Sequence, residues 1–346
     1  MILSSLILAA MAPAATPMGD TTAAVHVDLK AKASRKWEYE LPAEQWLPVG
    51  TQVTLAGRRF EAKVDGEALL IDTDGDGELE RRIEGREDRE TKVHQAFVTL
   101  QDEFTGPHSL RLTKDRSGNW FWATSCIRTG KIDGQKVTLI DQNGDGLYGQ
   151  PGVDAMIVGS GKVATFQSDV VRVGEALYAM TVDEDGTGLS IQPFEGATGM
   201  LDLATDLTTD GKLVSAIVVS EDKRMSFDLA LFGEGQSVPA GTYEIHTAKI
   251  GLGSQRVSID ASDMEKLDVE AGEETNFSWG GPTHAEFAVM RQGDELVIDP
   301  YQVYYYGEGG EEYVDWLPLG KSPEFTITYT IDGNQIEKKA VFPPNC

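Results

Sequence analysis

Cysteine is nearly missing from this chain of 346 residues, which contains only Cys126 and Cys346. Two cysteines cannot staple a chain of this length, so a disulfide-framework fold is excluded. In an oxidising compartment they could form one bridge; otherwise they are independent thiols. Histidine is scarce as well. His26, His94, His108, His246 and His284 show neither H-x-x-x-H spacing nor pairing with cysteine at zinc-finger distance,. No G-x-S-x-G elbow and no G-x-x-x-x-G-K-[ST] loop occurs. The common signatures of serine hydrolases and P-loop nucleotide enzymes are therefore absent. Past the N-terminus, no run approaches the roughly 18 apolar residues needed to cross a bilayer as a helix.

Basic side chains are outnumbered, with 30 Lys and Arg against 56 Asp and Glu, for a formal charge of −26. Such a surface repels phosphate backbones and anionic lipid heads. We therefore expect no nucleic-acid partner and no membrane insertion. A protein or polysaccharide ligand is the partner class left open, and the sequence sets no oligomeric state. Helical periodicity is lacking too. Residues 86–95 and 263–267 offer single helical turns at most,.

What is present is strand signal. Residues 64–72, 91–100, 109–113, 120–128 and 136–140 are short runs rich in β-branched and aromatic residues,. Turns such as Arg116-Ser117-Gly118-Asn119 and Ile132-Asp133-Gly134-Gln135 separate them,. Further along, 176–182 with 189–193 and 213–219 with 225–231 read as hairpins, as does the Asp332-Gly333 turn near the end. The acidic stretches 183–186 and 206–211 read as turns. These signals predict an all-β chain. An antiparallel meander or barrel-like domain spans 20–172, a hairpin-rich extension 173–235 and a sandwich-like domain 236–346.

The opening residues, MILSSLILAAMAPAATPMG, run apolar from Ile2 to Met11 and then turn small, with Ala12 and Ala14 in an A-x-A-like arrangement. This predicts a secretory signal over 1–15, although its n-region has no Lys or Arg. The expected location is secreted, periplasmic or cell-envelope.

Two stretches repeat one pattern. ALLIDTDGDGELERRI (68–83) and KVTLIDQNGDGLYGQPGVDAMIV (136–158) each carry an apolar run, then D-x-[DN]-x-D-G, then a second apolar run. Alternate residues in a tight loop can turn their oxygens to one centre, and the glycine permits the bend. Oxygen donors at that density suit Ca²⁺. The first loop offers Asp72, Asp74, Asp76, the carbonyl of Glu78 and the carboxylate of Glu80. The second offers Asp141, Asn143, Asp145, the carbonyl of Leu147 and, after a Gly149-Gln150-Pro151-Gly152 insertion, Asp154. An EF-hand needs a bidentate Glu at position twelve. Ile83 and Gly152 stand there instead, and the flanks are strand-like, so a calcium loop between strands is expected.

At these residues DTDGDGELE resembles the calcium loops of integrin-type FG-GAP repeats and thrombospondin type 3 repeats. DQNGDGLYGQPGVD is similar to a loop of exported bacterial β-rich proteins of uncharacterised role. VPAGTYEI (238–245) resembles the edge-strand motif of prealbumin-like sandwiches such as carboxypeptidase regulatory-like modules. Together they cover about a tenth of the chain and imply binding modules rather than catalysis. The expected function is a non-catalytic, calcium-stabilised structural or binding module.

Two alternatives remain. Trp120 and Trp122 share one strand face, and Tyr301, Tyr304, Tyr305, Tyr306, Tyr313 and Trp316 crowd an acidic segment, so a sugar-binding accessory protein is one. Stacked aromatics more often fill a core between sheets. The other is a hydrolase whose carboxylate dyad cannot be singled out among so many acids.

Overall fold

The computed structural model describes residues 24–33, 36–87, 94–102, 106–230, 235–293, 295–314, 324–331 and 333–341. The predicted signal segment, Cys346, Trp316 and Asp332 lie outside them. Every regular element among the described residues is a strand. The expected all-β class is therefore what the chain adopts, and among the described residues no sheet closes into a barrel. Short runs of Val, Ile, Thr and aromatics fit a pleated, half-buried surface, and glycine turns return the chain every few residues.

Two open sandwiches form the first half. In one, the four strands Gln52–Leu55, Arg58–Asp65, Ala68–Ile71 and Arg81–Ile83 face a five-stranded sheet containing His94–Asp102, Gly106–Lys114 and Trp120–Thr124. Val53, Phe60, Leu69 and Ile71 meet Leu100, Leu110, Leu112, Trp120 and Trp122 between them. In the other, Cys126–Ile132, Gln135–Ile140 and Ala155–Val158 belong to a five-stranded sheet that packs on the sheet Val25–Asp28, Gly188–Pro193, Ala176–Val182, Val170–Val173. Val137, Leu139 and Met156 fill that interface. The opposite face of the same strands buries Ile127, Ile140 and Ile157 under Trp37, Tyr39 and Leu41. Gln135–Ile140 is thus covered on both sides.

The sequence reads 120–128 as one strand. The chain breaks it at Ser125, which is fully buried, and passes there from the first sandwich to the second. Residues 64–72 are likewise two strands, because Gly66, at φ +61°, turns the chain between Asp65 and Ala68. The helical turn sketched for 86–95 does not form in the described part: Arg86 and Glu87 pair with Gln95 and His94 as strands. Residues 263–267 turn without a helix and enter the strand Leu267–Val269.

The last block centres on Lys212–Ser220 and Gly241–Leu252, neighbours in an eight-stranded sheet whose core holds Leu201, Val218, Tyr243, Ile245 and Trp279. Hairpins 176–193 and 324–341 form at the expected places. Val238 lies on an edge strand, Gln236–Pro239, but Tyr243 and Ile245 belong to an inner one. Within 206–211, Leu207 and Thr208 pair in parallel with Trp279 and Gly280, where only a turn was expected.

Candidate metal centre

Each acidic loop sits at the same place in the same local architecture. A two-residue turn joins two antiparallel strands, the second strand runs into D-x-[DN]-x-D-G, and a third strand returns beside it. The first copy is Arg58–Asp65, Ala68–Ile71 and Arg81–Ile83; the second is Cys126–Ile132, Gln135–Ile140 and Ala155–Val158.

Inside the loops the hydrogen bonds repeat. Asp72 accepts the N–H of Gly75 at 2.7 Å and of Gly77 at 3.0 Å. Asp141 accepts those of Gly144 at 2.7 Å and Gly146 at 2.9 Å. Asp74 takes the Asp76 N–H and Asp76 the Glu78 N–H; Asn143 takes the Asp145 N–H and Asp145 the Leu147 N–H. Gly75 and Gly77 stand at φ +80° and +87°, and Gly144 and Gly146 at +76° and +88°. A β-carbon at any of them would be strained.

In the first loop one ligand atom from each of Asp72, Asp74, Asp76 and Glu80 lies within 4.8 Å of the others. Among the described residues this is the group of His, Cys, Asp and Glu that converges so. Asp72 is buried at the floor, and the other three are exposed. Thr73, which lies between Asp72 and Asp74, donates both its N–H and its hydroxyl to Glu80 Oε1. Against the opposing effect of burial, those bonds hold Glu80 below the usual carboxylate range,. Four carboxylates around one point, with oxygen donors only, can hold a hard divalent cation. Glu78 follows in the turn with its side chain exposed.

The second loop is built differently around the same turn. Asp141 is 1% exposed and Asp154 is 0% exposed. Asp154 Oδ2 accepts the Gln150 N–H at 3.3 Å, and Asn143 Nδ2 reaches the Gln150 side chain at 3.4 Å. Asp141 follows Ile140 and Asp154 precedes Ala155, and the pairing of Ile140 with Ala155 places Asp154 across from the start of the loop. Its Oδ1 accepts no hydrogen bond. Burial, then the charges of Asp141 and Asp145, push Asp154 up to about 8. Burial also lifts Asp141 to about 6, outweighing the N–H groups of Gly146 and Gly144. Asp145 and Leu147 face solvent. Asp154, picked from sequence as the closing residue, thus stands across from Asp141, but Asp141, Asp145 and Asp154 do not converge within 4.8 Å as the first loop's carboxylates do. Gln150, which ties Asp154 to Asn143, carried no sequence signal beyond its place in the insertion.

Residues 144–149 also spell G-x-G-x-x-G. That motif binds dinucleotides where a strand leads into a helix. Here the chain continues to the strand Ala155–Val158 and no helix follows.

The aromatic candidates separate. Trp120 and Trp122 are buried in the first sandwich, so that face cannot stack on a sugar. Tyr304 is exposed, while Tyr305, Tyr306 and Tyr313 are partly covered. Cys126 is buried and unbridged, with its thiol pushed up to about 11 chiefly by burial. That disfavours the thiolate a nucleophile requires. No described helix is long and apolar enough to cross a membrane.

No family model matches the chain, and no curated protein or solved structure matches it.

Proposed function

We propose that this is a non-catalytic, calcium-stabilised structural or binding module that works outside the cytoplasm, in the envelope or the extracellular space. The observation that carries the reading is the convergence of Asp72, Asp74, Asp76 and Glu80 within 4.8 Å. Asp141, Asn143, Asp145 and Asp154 form the second site on a loop of matching turn geometry. Ca²⁺ suits both because it accepts six to eight oxygens in flexible geometry, including carbonyls such as those of Glu78 and Leu147. Mg²⁺ demands a tighter octahedron and parts reluctantly with water.

The apolar N-terminal run supports export, where calcium is abundant. Extracellular modules bind with dissociation constants of about 10⁻⁴ to 10⁻³ M. At free calcium about ten times its own dissociation constant, a site adds about 1.4 kcal/mol to stability, and more where it binds more tightly. The effect on melting is a rise of a few degrees. Thermal unfolding of the purified chain in calcium and in chelator tests this directly. A higher midpoint in calcium, unmatched by equimolar Mg²⁺, is expected; superimposable curves contradict the proposal.

A further inference from the structure

We infer that the two loops divide the work: the second holds its ion as an interior lock joining three packed blocks, and the first holds an exchangeable ion at the surface. The inference rests on the calcium reading above and adds a role for each site. Acid-rich turns alone would not carry it. The independent observation is Asp154, which is fully buried and whose Oδ1 has no hydrogen-bond partner. An oxygen of that kind beside a second buried carboxylate, Asp141, takes either a proton or a cation as its partner, and the further oxygens of Asn143, Asp145 and Leu147 on the same loop favour the cation.

The surroundings of the second loop set its role. Gly144 accepts the N–H of Ala56 at 3.0 Å, from the turn between two strands of the first sandwich. The Trp122 indole lies on Gly144, where a β-carbon would sit 3.2 Å from the ring. Tyr148 donates its N–H to Glu184 at 2.8 Å, in the turn 183–187 of the second sandwich. Gly152 packs against the carbonyl of Lys223 in the third block, so closely that a β-carbon would come within 2.3 Å of that oxygen. One loop therefore touches all three blocks. The first loop is less enclosed: Asp74, Asp76 and Glu80 are exposed, and a β-carbon on Gly77 would meet nothing within 4 Å.

Terbium, a calcium surrogate that emits when a nearby indole is excited, distinguishes the sites because Trp122 lies on the second loop. The full chain is titrated with Tb³⁺ under tryptophan excitation, and with Ca²⁺ by calorimetry and thermal melting. Asp154→Asn and Asp145→Asn should each weaken sensitised emission and its apparent affinity at least tenfold and abolish most of the calcium-dependent rise in melting temperature. Asp145 is exposed, so its variant answers even if Asp154→Asn fails to fold. Asp76→Asn should remove one calcium equivalent while leaving the sensitised emission within twofold. Loss of emission or of the melting shift in Asp76→Asn, or wild-type behaviour of Asp145→Asn, overturns the division. If calcium binds but the variants of both loops behave alike, only this inference falls. If the unaltered chain binds no calcium, the proposed function falls with it.

Discussion

Asp154 stands across from Asp141, each one residue toward the loop from the paired Ile140 and Ala155, in an interior where neither residue is more than 1% exposed, and one oxygen of Asp154 accepts no hydrogen bond. Two adjacent buried carboxylates cannot both stay ionised without compensation. A proton or a metal ion must supply it, and that choice governs how the protein responds to its medium.

The metal-free chain should lose stability as pH rises from about 4 to about 8. Both carboxyls are raised in the fold, Asp141 to about 6 and Asp154 to about 8. In the unfolded chain they titrate near 3.9. Across that window the folded state holds more protons, so stability falls with pH. Urea midpoints in chelator should be lower at pH 8 than at pH 5, and Asp154→Asn should flatten much of the slope. Saturating Ca²⁺ should also flatten it. A chelated midpoint that climbs with pH contradicts the assignment.

The two bend glycines should differ in cost. Gly77 and Gly146 share the left-handed conformation, at φ +87° and +88°. A β-carbon on Gly77 meets nothing within 4 Å, whereas one on Gly146 would lie 2.6 Å from the Ala56 β-carbon. Gly77→Ala should cost about 1–2 kcal/mol from backbone strain. Gly146→Ala adds overpacking, for a total of about 2–5 kcal/mol. Equal shifts in urea denaturation would show that the second loop is not enclosed by the Ala56 turn.

Trp122 should behave as a core residue. It is 4% exposed beneath the second loop. Trp122→Ala should cost about 3–5 kcal/mol and weaken calcium binding at that loop. Unchanged stability would return the indole to the surface and revive sugar stacking.

Arg111 should be needed for its shape as well as its charge. It is 6% exposed, with its guanidinium 4.0 Å from the Trp37 ring centre and 5.0 Å from that of Trp46. It also pairs with Glu44 and donates to the Thr124 carbonyl. Arg111→Lys keeps the charge but loses the planar stack, so about 1–3 kcal/mol should disappear from the denaturation free energy. Full retention by lysine would reduce the contact to a simple charge pair.

The sequence made local features legible and concealed distant ones. The Asp and Gly spacing of both loops is a statement about neighbouring residues, and the bends at Gly77 and Gly146 formed where it put them, while the left-handed Gly75 and Gly144 beside them were not foreseen. Strand class followed from the same short-range patterning. Ser125 gave no such sign, because the strand changes sheets there through packing of Trp122 on one side and Ile127 on the other. The contrast between an exposed Asp76 and an enclosed Asp154 depends on Ala56, Glu184 and Lys223, far away in sequence. The stack of Arg111 between Trp37 and Trp46 is hidden for the same reason.

Calcium titration by calorimetry of the purified chain beside its Asp72→Ala, Asp141→Ala double variant puts the whole account to its most direct test. Two equivalents of heat from the unaltered chain and none from the variant are predicted. Identical isotherms from the two proteins would contradict it.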